Sequence, residues 1–381
     1  MRGPVALVLA AKTARTFAYG CLGIVLPLYL AELGLGAAGV GAAITLMLLA
    51  SAALTWTVRR PAERHGARAV LLVLVALSLV SALLLLTSRV PWVVVAAAML
   101  GNVAVSTGET GPFLTIEQVV VTRATSADAR TAALSVYNLV GYGAAALGSA
   151  VVGVVDGYRP LFALFLAATV VQAAAYAGLP RAARVERRPV TGVSNPLIRR
   201  MAGLFAIDSF AGGFVLQSLI IYFLHERFGL EVAELGVVFF VAQVVTAASL
   251  LLAARAARRF GLLPTMVASH LVSNVVLMAI ALAPAAWVAV GLLYLRQLLS
   301  QMDVPTRQAY VMAVVDDHER EAAASTTNLT RTLAQAVTPA LTGWVMQAVA
   351  LSAPFVVGGA LKIVYDALLY ATFKDVPIKP E

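Results

Sequence analysis

Long apolar runs recur along the whole chain, and they restrict its possible folds more than any other feature. Stretches such as "VLLVLVALSLVSALLLL" (70–86) and "PWVVVAAAMLGNVAV" (91–105) contain no charged residue. Hydrophobic residues make up 61% of the 381 positions and charged residues only 12%, whereas charged residues make up about 25% of soluble domains. A soluble core could not bury so many apolar runs. The sequence therefore predicts a polytopic membrane protein.

Helices are the expected membrane-crossing elements, because a bilayer offers no hydrogen-bond partner to open backbone groups. Each crossing needs roughly 20 mostly apolar residues. We predict an all-α fold of twelve transmembrane helices, called spans 1 to 12 in chain order, which lie near 8–31, 37–58, 69–88, 91–121, 131–155, 160–180, 201–224, 233–254, 262–283, 286–314, 321–348 and 353–373.

Basic residues are concentrated in the connections on one side of the predicted membrane. These connections contain "RRPAERHGAR", "TRATSADAR", "RAARVERRPVTGVSNPLIRR", "ARAARR" and "DDHERE". The opposite side contributes only Arg89, Arg159 and Arg227. By the positive-inside bias, both termini are expected in the cytoplasm. The net charge of +9 is explained by this topology, so we expect no nucleic-acid partner.

The two halves of the chain resemble each other. "RTAALSVYNL" (130–139) and "REAAASTTNL" (320–329) agree at six of ten positions. "FAYG" (17–20) corresponds to "FAGG" (210–213), and the basic connection "ERHGAR" (63–68) corresponds to "RRFGLL" (258–263). The offset between the copies is nearly constant over these three places. We predict two parallel six-helix bundles, 1–180 and 201–381, related by a pseudo-twofold axis and joined by a cytoplasmic linker, 181–200.

The second connection carries a motif that resembles a known family. "RRPAERHGAR" is similar to the loop signature G-x-x-x-D-R-x-G-R-R/K of the major facilitator superfamily. Glu63 stands for the aspartate, and Arg64, Gly66 and Arg68 match in place. Arg59 and Ala67 depart from the pattern. The resemblance implies that Glu63, Arg64, Gly66 and Arg68 stabilise one state of an alternating-access cycle, although the arginines can also serve topology alone.

The resemblance implies that spans 1, 4, 7 and 10 line a central cavity. Drug–proton antiporters of the family usually carry an arginine early in span 4 and a Gly-Pro pair in span 5, and this chain has neither. It looks closer to a bacterial branch with "GPFL-IEQ" in span 4 and "SQMDVPTRQ" in span 10. No substrate is assigned to that branch, and an inner-membrane location is expected.

Charged residues lie at equivalent positions of the two repeats. Repeat alignment places Arg15 of span 1 opposite Asp208 of span 7, and Glu117 of span 4 opposite Arg307 of span 10. A charge at mid-bilayer costs about 2.5–3.5 kcal/mol on insertion scales, so such residues need partners. We expect pairs either within each half or between the halves. Further candidates for the cavity wall are Tyr19 and Phe113.

Span 10 carries a polar stripe. Arg296, Ser300, Asp303 and Arg307 follow the spacing i, i+4, i+7 and i+11, which confines them to about 60° of a helix. One interpretation is a wall that binds the substrate or couples it to an ion. The other is a buried ladder of ion pairs that holds helices together.

Three carboxylates are candidates for proton coupling: Glu109, Asp303 and Asp208. A buried carboxylate without a partner can bind and release a proton near neutral pH, whereas a carboxylate in water stays ionised there. Glu109 has no arginine on its own helix, which favours this role. The rival interpretation is that Arg296 pairs with Glu109 and prevents it from titrating.

Helix breakers interrupt two of the cavity spans. Gly108, Gly111 and Pro112 lie within span 4, and Pro305 lies within span 10. Such residues weaken the helical hydrogen-bond ladder and expose backbone groups beside a binding site. For the glycines, close helix packing is an equal alternative.

Outside the cavity spans we predict structural roles. Lys362 and Asp366 of span 12 are spaced i, i+4 and are expected to neutralise each other. His270 of span 9 has no companion in the sequence and is expected in the core, because one histidine makes a poor metal site. We therefore expect neither a metal nor a cofactor.

The sequence as a whole predicts a secondary transporter that moves a small solute by alternating access. It contains no G-x-x-x-x-G-K-[ST] motif, so any energy that transport uses has to come from an ion or solute gradient. We expect proton-coupled efflux by a monomer, with uptake or uncoupled facilitation as the alternative. A non-transporting sensor or scaffold is the alternative of another class. No catalytic set is apparent, so an enzyme is not expected.

Overall fold

We describe the protein from a computed structural model, in which residues 3–104, 111–126, 129–180, 196–303, 306–307, 310 and 320–374 are described. These residues are almost entirely helical. In chain order the helices are α1 (Gly3–Glu32), α2 (Ala37–Thr57), α3 (Arg59–His65), α4 (Ala67–Thr87), α5 (Pro91–Leu100), α6 (Pro112–Ala124), α7 (Arg130–Val152), α8 (Tyr158–Ala177), α9 (Pro196–Gly213), α10 (Gln217–Phe228), α11 (Val232–Phe260), α12 (Leu262–Ala281), α13 (Ala286–Ser300), α14 (Arg320–Ala348) and α15 (Ala353–Phe373).

In the part of the chain that the structure describes, each of the twelve predicted spans overlaps one of these helices or two in succession. Within the described residues, nine helical segments are long and apolar enough to cross a membrane, and α5 and α13 are shorter apolar helices. Span 4 corresponds to α5 and α6, and span 7 to α9 and α10. The prediction of an all-α membrane fold is confirmed.

Span 4 is interrupted where the sequence predicts a break, and span 7 is interrupted where it predicts none. Between α5 and α6, Gly111 has φ +121°, and a Cβ there would lie 2.7 Å from Nδ2 of Asn102. Glycine is the residue that tolerates such a backbone. Sequence analysis did not predict the break between Gly213 and Gln217, where Phe214 N–H donates to the Ala211 carbonyl in a tight turn.

The chain forms two compact units, and each is described by itself. Unit 1 comprises Met1–Arg188 and Gly229–Gln243, and unit 2 comprises Pro189–Phe228 and Val244–Glu381. Span 1 of unit 1 is 83% buried, and its repeat counterpart, span 7 of unit 2, is 72% buried, whereas the other long spans are 33–50% buried. Each unit is thus built around the first span of its repeat. The division into bundles at 181–200 stays a prediction.

Small residues let α1 and α7 pack backbone to backbone. A Cβ on Gly20 would overlap the Ala145 carbonyl, and one on Gly148 would overlap the Phe17 carbonyl. The thiol of Cys21 donates to the Gly148 carbonyl at 3.0 Å. This close contact helps to hold the adjoining part of α1, which contains Arg15, inside unit 1.

We expect Gly148→Val to lower the free energy of unfolding by about 1–3 kcal/mol, because overpacking forces backbone atoms apart. Gly143→Val is the matched control, since Gly143 lies on the same helix and a Cβ there would meet nothing within 4 Å. Thermal unfolding of the detergent-purified variants measures the difference. Equal midpoints for the two would show that α1 and α7 do not pack as described.

Matching glycines mark the same turns in the two repeats. Gly66 has φ 84° and ψ 161°, and its repeat counterpart Gly261 has φ 88° and ψ 162°. Gly34 and Gly229 form a second pair at the same offset, with φ values of 92° and 69°. The repeat inferred from sequence therefore extends to the local backbone conformation of its connections.

Large apolar side chains cover the outside of the helices. Trp56, Trp92, Trp287 and Trp344 are between 53% and 79% exposed, and they lie close to helix ends. Tryptophan is enriched at the two membrane–water interfaces. These exposed surfaces fit a lipid environment.

Candidate functional site

A buried ion pair joins spans 1 and 4 in unit 1. The guanidinium of Arg15 donates to both carboxylate oxygens of Glu117, at 2.9 and 2.6 Å. The Glu117 side chain is fully buried and that of Arg15 is 1% exposed. Of the two pairings expected from the sequence, the one within the half is therefore formed.

Aromatic residues enclose this ion pair. The hydroxyls of Tyr137 and Tyr176 donate to Glu117 at 2.6 and 2.5 Å. Phe113 stacks beside Tyr176, and the Arg15 guanidinium lies 4.7 Å from the Phe113 ring centroid. Both oxygens of Glu117 are thus occupied by donors in an apolar cluster, where ion pairing is strong.

Tyr19 and Lys12 lie on the same helix as Arg15. The hydroxyl of Tyr19 donates to the Gly101 carbonyl at 2.7 Å, at the end of α5. The Lys12 ammonium lies 4.2 Å above the Tyr137 ring. Tyr19 therefore satisfies a carbonyl beside the interruption of span 4, and its role toward a substrate stays a prediction.

In unit 2 one arginine lies between two aspartates. Arg307 donates to Asp208 at 3.3 Å and forms a closer ion pair with Asp303. Asp303 and Arg307 are 3% and 4% exposed. The polar stripe of span 10 is therefore tied to span 7 through Asp208.

Lys362 and His270 extend this network, and the predicted pairing of Lys362 with Asp366 was wrong. Lys362 donates to Asp208 at 2.6 Å and does not neutralise Asp366. Asp366 instead lies 2.7 Å from Nδ1 of His270 and accepts from Asn274 at 3.0 Å. His270 is buried as expected, but its Nε2 lies 3.6 Å from Asp208, so it links two carboxylates.

We name these side chains, with Arg331, the unit 2 network. Arg331 donates to Ser209, the residue after Asp208, at 3.0 Å. The network contains three carboxylates and three permanent cations, so its charges balance when His270 is neutral. It gathers residues from five helices or their extensions: Asp208, His270, Asp303, Arg307, Arg331, Lys362 and Asp366.

The ion pairs of the two units are equivalent in the repeat with their signs exchanged. Arg15 pairs with Glu117 in unit 1, and Asp208 pairs with Arg307 in unit 2. These are the positions that the repeat alignment places opposite each other. Each unit thus connects its first and fourth spans through one buried ion pair.

Two stripe residues stand outside the ion-pair network. Arg296 donates to Oε1 of its neighbour Gln297 at 3.2 Å, while its Nε has no partner within the described structure. The Ser300 hydroxyl is likewise buried without a partner there. The ladder interpretation therefore fits Asp303 and Arg307 but not Arg296 and Ser300.

The remaining predicted residues concern the loop motif and Glu109. Arg64 is exposed, Arg68 is half-buried, and Gly66 is buried with its positive φ. The Glu63 side chain and the whole of Glu109 lie outside the described residues, as do Gly108 and Pro305. The roles assigned to them stay predictions.

Sequence reasoning missed the two tyrosines that bind Glu117 and the connection from Lys362 to Asp208. Tyr137 and Tyr176 are hydroxylated residues inside apolar spans, which was the available signal. Nothing in the linear spacing indicates which helices become neighbours. No group of three potential metal ligands is found in the described part of the chain.

Comparison with known proteins identifies the family. The sequence model of the Major Facilitator Superfamily matches residues 8–301 and, in a second match, 208–381. The chain belongs to the Major Facilitator Superfamily. As a member it is a multi-pass membrane transporter and not an enzyme, and members of this superfamily bind small-molecule substrates.

Relatives and solved structures agree with this membership. An uncharacterized membrane protein of Saccharomyces cerevisiae, YJR124C, is 22% identical, over 98% of this chain and 95% of that protein. The crystal structure of the nucleoside transporter NupG matches with a TM-score of 0.78 at 13% identity, covering 98% of this chain and all of that one. The D-xylose–proton symporter matches with a TM-score of 0.74 at 14% identity, covering 98% of both chains. At these identities the two structures show a shared superfamily fold.

Proposed function

We propose that this superfamily member exports a small polar solute by alternating access and couples that movement to protons. The observation that carries the proposal is Arg307 shared between Asp208 and Asp303 inside a membrane span. Buried ionisable residues in membrane spans are usually functional. We place the protein in a bacterial inner membrane with both termini in the cytoplasm, which the basic connections support.

Asp303 is the proposed proton carrier of the described residues, with Asp208 as its partner. Its Oδ2 pairs with Arg307, while its Oδ1 is buried without a partner in the described structure. Protonation of Asp303 would remove one of the two negative charges that hold Arg307. Arg307 would then be held by Asp208 alone, and the balance of the unit 2 network would change by one charge.

Several groups from packed helices would respond to that change. Among the described residues of unit 2, the charged and titratable side chains around Asp208 and Asp303 include Arg307, His270, Arg331, Lys362, Tyr365 and Asp366. Because they come from different helices, a proton at Asp303 alters forces between elements. Such a local change can bias two conformations of a transporter. Glu109 remains a second candidate, by sequence alone.

An experiment on cells and vesicles tests the proposal. Metabolites that accumulate in a deletion strain are identified first, and one is then loaded into proteoliposomes under an imposed pH gradient. We expect the gradient to drive its movement with the wild-type protein, and Asp303→Asn to abolish that drive. Depletion in place of accumulation would indicate uptake.

Asp156→Asn is the matched control, because Asp156 is an exposed aspartate in the connection before α8. The pH gradient should drive solute movement through this variant as it does through the wild type. Equal flux with and without the pH gradient in the wild type would contradict proton coupling. If Asp303→Asn still shows flux driven by the pH gradient, a residue other than Asp303 carries the proton.

A further inference from the structure

Span 10 carries three buried polar atoms without partners in the described structure. They are Nε of Arg296, the hydroxyl of Ser300 and Oδ1 of Asp303. Arg296 and Ser300 follow i, i+4 and share one side of α13, and Asp303 lies three residues beyond the end of that helix. Buried polar groups are almost always hydrogen-bonded, and exceptions point to a missing partner.

Arg296 is half-buried, and its surroundings differ from those of the buried arginines Arg15 and Arg307. Arg15 is paired with a carboxylate and Arg307 with two. Within the described residues Arg296 contacts only a neutral amide oxygen, that of Gln297. A half-buried guanidinium that contacts no carboxylate among the described residues is available to bind an anionic group.

Asp303 offers the complementary chemistry beyond the end of α13. Arg307 occupies its Oδ2, which leaves Oδ1 as an acceptor. The Ser300 hydroxyl lies between the two and can donate or accept. At 1.5 Å per residue, Arg296 and Ser300 are about 6 Å apart along α13, and Asp303 follows three residues after the helix ends.

We propose that Arg296, Ser300 and Asp303 form a substrate subsite for a small organic anion that also carries a hydroxyl or ammonium donor. The anionic group binds Arg296, and the donor binds Oδ1 of Asp303, with Ser300 between them. This inference rests on the proposed transport function and names its substrate class. A neutral solute would leave the charge of Arg296 uncompensated, and a plain cation would be repelled by it.

Binding to the purified full-length protein tests the substrate class. The probes are gluconate, glucose as its neutral counterpart and hexanoate as its hydroxyl-free counterpart, together with the amino acids lysine and glutamate. Further hydroxylated and amino acids of two to six carbons complete the panel, with choline as the cationic control. We expect at least one anion with a donor group to raise the thermal unfolding midpoint, and its matched neutral or donor-free analogue to have no effect.

Variants of the subsite connect that binding to Arg296. Arg296→Gln should weaken the apparent affinity by about tenfold or more, since one charge-assisted hydrogen bond contributes that much. Arg296→Lys should retain part of it. Arg258→Gln is the control, because Arg258 is exposed on α11. Should Arg296→Gln fail to fold, Ser300→Ala should still reduce binding of the same compound.

Three results would overturn the inference: stabilisation by neutral or cationic compounds alone, no stabilisation by any member of the panel, or unchanged binding in Arg296→Gln. These results leave proton coupling untouched. A neutral solute driven by the pH gradient would support the proposed function and refute the subsite. If an anion with a donor group is transported but the pH gradient does not drive its movement, the result would support the subsite and refute proton coupling.

Discussion

Glu117→Gln is expected to lower the free energy of unfolding by about 3–5 kcal/mol, the usual penalty for leaving a buried charge unpaired. The Glu117 side chain has no solvent exposure and receives donors from Arg15, Tyr137 and Tyr176. Without its charge, the Arg15 guanidinium remains in an apolar cluster. Chemical or thermal unfolding of the protein in detergent measures the loss.

A second substitution separates the pair from its surroundings. Arg15→Met combined with Glu117→Gln removes both charges and should recover at least half of the lost stability, since neutral replacement of a buried pair is often tolerated. The Gln side chain still offers an oxygen to a tyrosine hydroxyl. If the double variant is no more stable than Glu117→Gln alone, the penalty arises from lost packing and not from the stranded arginine.

Asp208→Asn should abolish transport and destabilise unit 2 by a similar amount, about 3–5 kcal/mol. Lys362 donates to Asp208 at 2.6 Å and would lose the one carboxylate that it contacts in the described structure. Arg307 would keep Asp303. We therefore expect Lys362, and not Arg307, to be the cation left without a carboxylate partner. Flux in proteoliposomes and the unfolding midpoint are measured together.

The double variant Asp208→Asn with Lys362→Gln distinguishes stability from function. It should regain much of the stability, because Lys362 no longer leaves a buried cation unpaired, while transport stays absent. Glu226→Gln, at an exposed carboxylate near the end of α10, is the control and should transport normally. Transport restored in the double variant would show that Asp208 is needed only to neutralise Lys362.

The exchanged signs of the two ion pairs have a simple physical explanation. A cation and an anion on the first and fourth spans of each repeat satisfy each other whichever span carries which charge. Duplication conserves the positions at which the two spans meet, and the pair tolerates a swap of sign if both members change. The pairs Arg15–Glu117 and Asp208–Arg307 show both versions in one chain.

Much of the fold could be predicted from the sequence because local rules control it. Apolar runs of bilayer length specify the spans, and glycines at 66 and 261 specify turns that need a positive φ. Repeat alignment also predicted which spans carry balancing charges. The break in span 7 was missed, because "AGGF" is as typical of a small-residue packing segment as of a turn.

The partners of Lys362, Asp366 and His270 were decided by the tertiary structure alone. The i, i+4 spacing predicts a pair between Lys362 and Asp366. In the structure, Lys362 instead pairs with Asp208, and Asp366 contacts His270. Spacing along one helix limits which residues share a face, but it carries no information on the helix that packs against that face. The sequence by itself therefore determined a duplicated membrane transporter with charged spans, and only the packing of α9, α12 and α15 decided which of those charges meet.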